Sequence, residues 1–291
     1  MSDKIVRATA GGGKVRIFVA DTRELVNESF NRHKTYPVVT AALGRLLTAG
    51  AMMGVMQKSE EDLLTLKLEG AGPVGKIIVT ADSKGRVKGY AKNNEVDIPL
   101  KPNGKLDVSG AIGVGLLTVI KDIGLKDPYV GTTELISGEI AEDLTYYFTS
   151  SEQVPSSVGL GVLVDTDYSV KKAGGFIVQL MPFAEDSIID TIEENLKAVT
   201  SVTTLLEEGK TPEDILNILM KGLEPEIIDE IVPEYYCNCN KERVEKALIS
   251  LGNKEINAMI NDGETIEVHC DFCNTYYHFT IDELKELKAH I

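Results

Sequence analysis

The sequence predicts an α+β protein in three parts. These are a strand-rich mixed α/β core domain over residues 1–182, an acidic helical linker over 183–230, and a small C-terminal four-cysteine domain over 231–291. Three observations carry this. Short segments of alternating apolar and polar residues, separated by Gly, Asp and Asn turns, recur through the first 182 residues. Charge is segregated: residues 1–182 hold 21 basic and 21 acidic side chains, 183–230 hold 3 and 13, and 231–291 hold 6 and 11. All four cysteines lie between positions 237 and 273.

Within the core, Lys14-Val-Arg-Ile-Phe-Val-Ala20 and Leu64-Thr-Leu-Lys-Leu68 alternate as strands do. Further strands are expected over 76–80, 86–91, 116–120, 129–136, 158–165 and 176–181. Val38 to Met56 is an apolar run interrupted only by Thr40, Arg45 and Thr48. Arg45 in mid-segment argues for a buried helix over a membrane span, with Gly44, Gly50 and Gly54 letting strands pack close. A second helix is expected over Glu139 to Ser151. Gly70-Ala-Gly72-Pro-Val-Gly75 matches the dinucleotide fingerprint in letters. It contains Pro73 and leads into the strand-like Lys-Ile-Ile-Val-Thr, so no helix N-terminus is present to hold a pyrophosphate, and a strand-linking turn is expected.

In the linker, Ile188, Ile192, Leu196, Val199 and Leu206 fall on one helical face, with Gly209 placed to stop the helix. Thr211-Pro212-Glu213-Asp214 then supplies a cap, a proline at the first helical position and acids in the first turn, opening a helix through Met220. An apolar stripe on segments so heavily charged with one sign needs a partner surface. The core domain is the expected one.

Residues 231–291 read as a metal module. Cys237-Asn-Cys239 and Cys270-Asp-Phe-Cys273 are separated by 30 residues. Two close pairs around a helix-sized insert are the ligand pattern of a tetrahedral zinc site built from four thiolates, Cys237, Cys239, Cys270 and Cys273. The insert is expected to form helices over 241–250 and 254–260. Strands over 265–269 and 276–279 flank the second pair, and Thr280-Ile-Asp-Glu283 is a capping box opening a last helix. At about 60 residues, a module of this kind is marginal on its core alone. The thiolate that zinc requires is also the species that oxidants attack. Spacing alone therefore leaves open a structural zinc ribbon and an oxidant-sensing centre.

Other classes fit less well. The net charge of −15 argues against a nucleic-acid partner. The N-terminal residues lack an apolar stretch of signal-peptide length, which points to the reducing cytosol and away from a disulfide framework. A thiol–disulfide oxidoreductase would place Cys270-Asp-Phe-Cys273 at the start of a helix, whereas strand-like sequence flanks it. Four thiolates leave no open position for hydrolytic water, and a hydrolytic triad in the core would have only His33. His269 and His278 lie beside the cysteines as possible substitute ligands or supporting residues. No catalytic residue is expected. A zinc-ribbon adaptor for one protein partner remains a rival, separable by an aggregation assay on reduced and oxidised protein.

Cys237-Asn-Cys239-Asn-Lys-Glu-Arg243 together with His269-Cys-Asp-Phe-Cys273 closely resembles the C-terminal zinc centre of the bacterial 33 kDa chaperonin family, redox-regulated heat-shock holdases. Ser137-Gly-Glu-Ile-Ala-Glu-Asp-Leu-Thr-Tyr-Tyr-Phe148, Ser151-Glu-Gln-Val-Pro-Ser-Ser-Val-Gly159 and Arg45 within Ala-Leu-Gly-Arg-Leu-Leu resemble that family's core domain. The resemblance covers nearly the whole chain and implies a substrate-binding core, a helical linker and a redox-switch zinc domain. It further implies an ATP-independent chaperone of the cytoplasm that is inactive when reduced and loaded with one Zn2+ per chain. Under oxidative stress it is activated by disulfides Cys237–Cys239 and Cys270–Cys273 with zinc release. The implied partners are unfolded client proteins and, when active, a second copy of the chain.

Overall fold

The computed structural model describes residues 3–289. The chain divides into two compact units, the first ending at Tyr236 and the second beginning at Cys237. The first unit opens with β1 (Lys4–Ala10), β2 (Val15–Asp21), α1 (Arg23–His33) and α2 (Pro37–Gly54). It continues through β3 (Leu63–Gly70), β4 (Lys76–Asp82), β5 (Arg86–Ala91), α3 (Val108–Ile112), β6 (Gly115–Asp122), β7 (Tyr129–Glu134) and α4 (Ala141–Ser150). It closes with β8 (Ser156–Val164), β9 (Val170–Leu180), α5 (Asp186–Lys197), α6 (Val202–Glu207), α7 (Pro212–Leu219), β10 (Glu226–Ile231) and β11 (Glu234–Tyr235). The second unit holds α8 (Lys241–Ser250), α9 (Asn253–Asp262), β12 (Ile266–Cys270), β13 (Thr275–Phe279) and α10 (Ile281–Lys288).

Two sheets build the first unit: five strands in the order β10-β1-β2-β9-β8, and six in the order β11-β5-β4-β3-β6-β7. Both pack on α2, whose residues are nearly all buried. This is the one helix among the described residues long and apolar enough to cross a membrane, and here it is the core. Its small residues set the layer spacing, as expected. A Cβ at Gly50 would stand 2.7 Å from Val79 Cγ1 of β4, and one at Gly44 would stand 2.5 Å from Val26 Cγ1 of α1. The glycine-rich stretch 70–75 is the β3–β4 turn, closed by Gly70 N–H donating to Gly75 O at 2.8 Å.

Three expectations change. Residues 4–10 and 23–33 form β1 and α1, which the sequence reading left unassigned. Residues 226–231, expected within the helical linker, form β10 instead. The segment Glu-Ile-Ile-Asp-Glu-Ile is an exposed, acidic edge strand, held by its backbone pairing to β1 rather than by an apolar face. Nor is the linker stripe one helix. It breaks after Lys197 and resumes at Val202, with the β-branched Val199 and Thr200 in the gap.

The linker helices lie on the face of the five-stranded sheet opposite α2. Ile192 and Leu206 are buried there, and Ile188, Leu196 and Val199 pack partly buried against the same cluster as Val6, Val15, Ile17, Val19 and Phe176. The deepest anchors are on α7, where Ile215, Leu216 and Leu219 are at most 1 % exposed. The Thr211 capping box is present, with Asp214 N–H donating to Thr211 Oγ1 at 3.2 Å. Lysines of the neutral core meet linker acids along this seam: Lys4 with Glu213 at 2.7 Å and Glu230 at 3.0 Å, and Lys171 with Glu207 at 3.0 Å.

Arg45 resolves its place in an apolar helix by pairing with Glu139 at 2.7 Å, and Lys101 pairs with the same carboxylate. Next to it, Ile140 stands at φ 70°, ψ −48°, and Ala141 N–H donates to Glu139 O at 2.8 Å. This is a strained three-residue turn for a β-branched side chain. Asp143, fully buried, holds the turn by accepting the N–H groups of Ile136, Ser137 and Ile140 at 2.8, 3.0 and 2.9 Å. Burial pushes the Glu139 carboxyl up, but Lys101 and Arg45 outweigh it and hold it at about 2. A carboxylate depressed in the folded state contributes stability above its unfolded pKa near 4.5 and loses it as the pH falls towards 2. Glu139→Gln should therefore destabilise the first unit by about 2–3 kcal/mol at pH 7. The penalty should shrink steadily below pH 4.5, read by urea unfolding of the two proteins across pH. An equal penalty at pH 7 and pH 3 would refute this account of the cluster.

Candidate metal centre

The second unit brings the four cysteines together from two directions. Cys237 and Cys239 lie in extended chain before α8, whose start is fixed by Asn240: its side chain accepts the Arg243 N–H at 2.9 Å. Lys241 then ion-pairs with Glu283 and stands over the Phe279 ring, tying the start of α8 to the capped start of α10. From the other side, β12 and β13 form a hairpin in which Cys270 pairs with Thr275. The turn is tightened by Asn274 N–H donating to Cys270 O at 2.8 Å, and Asn274 takes the left-handed conformation its side chain tolerates, at φ 57°. Cys270 and Cys273 are thus presented on the same turn.

The four sulfurs lie within 4.8 Å of one another. Cys237 Sγ is 3.9 Å from Cys270 Sγ, Cys239 Sγ is 3.0 Å from Cys273 Sγ, and no disulfide joins any of them. A tetrahedron of sulfurs about 2.3 Å from a central ion has edges of about 3.8 Å, so this donor set fits a tetrahedral thiophilic cation. Electrostatics agrees. Burial, with Cys273 and Cys237 close by, pushes the Cys270 thiol up to about 12. Burial also works to raise Cys273, but its bonds with Thr275 and Cys239 bring it down to about 7. Sulfurs packed this closely cannot all ionise against one another, and a divalent cation removes that conflict.

Neither nearby histidine turns to the sulfurs. His269 places Nε2 at 2.6 Å from Asn274 Oδ1 and Nδ1 at 3.3 Å from Asp271, with its ring against Tyr276. His278 is exposed, 3.7 Å from Glu267. His33 lies in the other unit, where it bonds Tyr235 OH at 3.0 Å. Two supporting residues escaped the sequence reading. Tyr277 OH donates to Cys239 Sγ at 3.1 Å, and Thr275 Oγ1 lies 3.2 Å from Cys273 Sγ. Both stand on one face of β13, so strand alternation counted from Cys273 would have found them.

The second unit's buried cluster consists of Leu248, Phe279, Leu284 and Leu287, with partly buried Val244, Met259 and Ile266 beside them.

The whole chain has close relatives. Residues 3–280 match the family described as Hsp33 protein. The 33 kDa chaperonin of Lachnoclostridium phytofermentans is 55% identical over 287 residues, covering 99% of this chain and 98% of the relative. That of Agathobacter rectalis is 54% identical over 288 residues, covering 99% and 100%. The crystal structure of the 33 kDa chaperonin (heat shock protein 33 homolog) from Thermotoga maritima superposes with a TM-score of 0.93 at 40% identity, covering 100% of this chain and 99% of that one. With its sequence and its fold in agreement, the chain belongs to the Hsp33 family of 33 kDa chaperonins.

Proposed function

We propose that this protein is a redox-regulated, ATP-independent holdase of the cytoplasm, switched by its four-cysteine centre. In the reduced state Cys237, Cys239, Cys270 and Cys273 hold one Zn2+ per chain. The observation that carries this reading is four sulfurs within 4.8 Å in a unit whose buried cluster is four side chains. When bound, the zinc supplies the positive charge that lets all four sulfurs stay ionised together. Structural zinc sites contribute roughly 10–16 kcal/mol of apparent folding energy, as much as a whole domain's typical stability.

Oxidation dismantles the ligand set. Two electrons leave Cys237 and Cys239 as one S–S bond forms, and two leave Cys270 and Cys273 as another. Two hydrogen peroxide molecules accept the four electrons together with four protons, from the thiols and from solvent, and leave as four waters. Sulfurs committed to disulfides no longer balance a cation's charge, so the metal is released and the unit loses its fold. The linker joins this unit covalently through β10 and β11, and its thirteen acids repel one another. Undocking opens its own apolar stripe and the sheet face beneath, and both then hold unfolding clients. The active form is a homodimer. We assign no catalytic residue and no role in binding nucleic acid or membrane.

Metal analysis of the purified reduced protein should return one zinc per chain. Cys270→Ser should abolish tight binding, and Tyr277→Phe should weaken it by about tenfold through loss of the bond to Cys239. A stoichiometry near zero, or full affinity in the serine variant, would refute the site.

Peroxide treatment, followed by thiol counting and a colorimetric zinc reporter, should show thiols and bound zinc disappearing together. Thiols lost while zinc stays bound would break the proposed coupling.

Ile192→Asp with Leu196→Asp places two charges on the docked face. This variant should suppress light scattering of an unfolding client while still reduced and zinc-loaded. If it stays as inactive as the reduced parent despite a demonstrably undocked linker, the linker does not mask the client surface.

A further inference from the structure

Where the C-terminal end of α2 leaves the two sheets, the first unit has a cavity of about 370 Å³. One wall is apolar, made by Met53, Met56, Phe148 and Ile123. The charged lining is Arg16, Lys58 and Lys121 against Asp62 and Glu152, leaving one net positive charge. Three of these five have partners: Lys121 pairs with Glu152, and Asp62 accepts the backbone N–H groups of Lys58 and Ser59 at 3.2 and 3.0 Å.

Of the two cations left, Lys58 and Arg16, Arg16 is the one whose side chain is fixed. Its Nε and Nη2 both donate to Gln179 Oε1, at 3.2 and 2.6 Å. Gln179 is itself 1 % exposed and donates to Ser156 Oγ at 3.1 Å. A buried neutral amide thus fixes one edge of the guanidinium and leaves the other, a two-proton fork, without a carboxylate among the described residues. Arg7 stands diagonally across on the same sheet face, since Arg7 pairs with Phe18 and Thr9 with Arg16. It brings a like charge, and its Nε is buried with no hydrogen-bond partner among the described residues. Burial first, and then the charge of Arg7, disfavour the protonated Arg16, while the charge of nearby Glu152 favours it. A half-buried arginine held in position by a buried amide, beside another arginine and with no carboxylate hydrogen-bonded to it, is arranged to receive an anion.

We propose that this cavity binds an apolar monocarboxylate. The carboxylate takes the free fork of Arg16, and the aliphatic body lies on Met53, Met56 and Phe148. A single negative charge matches the net lining charge, whereas a phosphate dianion would exceed it. The size and the mixed lining are those of a small-ligand site. Two sources carry this chemistry: the C terminus of a peptide ending in an aliphatic residue, and a free branched-chain acid. The site shares no residue with the cysteine centre, so its failure would leave the redox reading untouched.

The test uses the full-length protein labelled at its methionine ε-methyl groups, with Met53 and Met56 assigned through Met→Leu variants. It is titrated with acetyl-Gly-Gly-Leu as the free acid, with the same peptide as its C-terminal amide, and with 4-methylpentanoate. Saturable shifts of Met53 and Met56 are expected with a carboxylate, and at least tenfold weaker binding with the amide. Arg16→Gln should weaken carboxylate binding at least tenfold, and Arg16→Lys, which keeps the charge but loses the fork, by less. Glu152→Gln should bind severalfold tighter, which guards against reading a misfolded Arg16 variant as a positive result. Binding of the peptide acid above 4-methylpentanoate identifies a peptide terminus as the source, and the reverse identifies a free acid. No saturable shift with either carboxylate, an amide that binds as tightly as the acid, or a folded Arg16→Gln variant of unchanged affinity would overturn the proposal.

Discussion

Four sulfur atoms in mutual contact cannot all be charged unless a cation stands among them, and the C-terminal unit has been built around that constraint. The divergence of Cys270 and Cys273, one pushed up to about 12 and the other down to about 7, is its electrostatic signature. Everything nearby serves to place the sulfurs: the cap at Asn240, the left-handed Asn274, the Lys241–Glu283 pair and the donation from Tyr277. Among the described residues the unit's buried cluster is Leu248, Phe279, Leu284 and Leu287, with Ile256 also buried, a small core for a unit of this size.

The first unit is governed by the opposite circumstance, an abundance of apolar surface. Helix α2 fills the space between two sheets so completely that Arg45 reaches a partner only through Glu139, at the edge of the packing. The five-stranded sheet is apolar on both faces, one against α2 and one against α5–α7. The linker's burial of residues such as Ile215 and Leu219 competes with repulsion among its own acids, relieved at Lys4 and Lys171. A layer held by this balance is the natural place for a conformational change, because its charge opposes what its apolar stripe favours.

Much of this was legible in the sequence. The cysteine spacing picked out the four side chains that the structure brings together, because close pairs of thiols have few other uses in one short segment. The buried helix followed from Arg45 and three glycines in an apolar run, and the capping boxes at Thr211 and Thr280 marked helix starts that the structure has. What escaped depended on partners distant in the chain. Strand β10 has no apolar face to announce it and exists because β1 offers a pairing edge. The strained turn at Ile140 is visible only once Asp143 and Arg45 have been brought beside it. Tyr277 needed the register of the hairpin before its hydroxyl could be placed on Cys239.

Strands on both sides of α5–α7 belong to the sheets of the first unit. Strand β9 lies before the helices, and after them β10 is paired to β1 and β11 to β5, the last with Tyr235 OH donating to Gly89 O at 2.9 Å. A linker that leaves its sheet face while these strands hold is a closed loop, not a free tail. The entropy gained by a loop whose ends stay anchored grows only with the logarithm of its length, and its apolar stripe remains at high effective concentration over the face it left. Redocking is then a short intramolecular search. A stripe tethered at both ends therefore reseats on its face without a diffusional search.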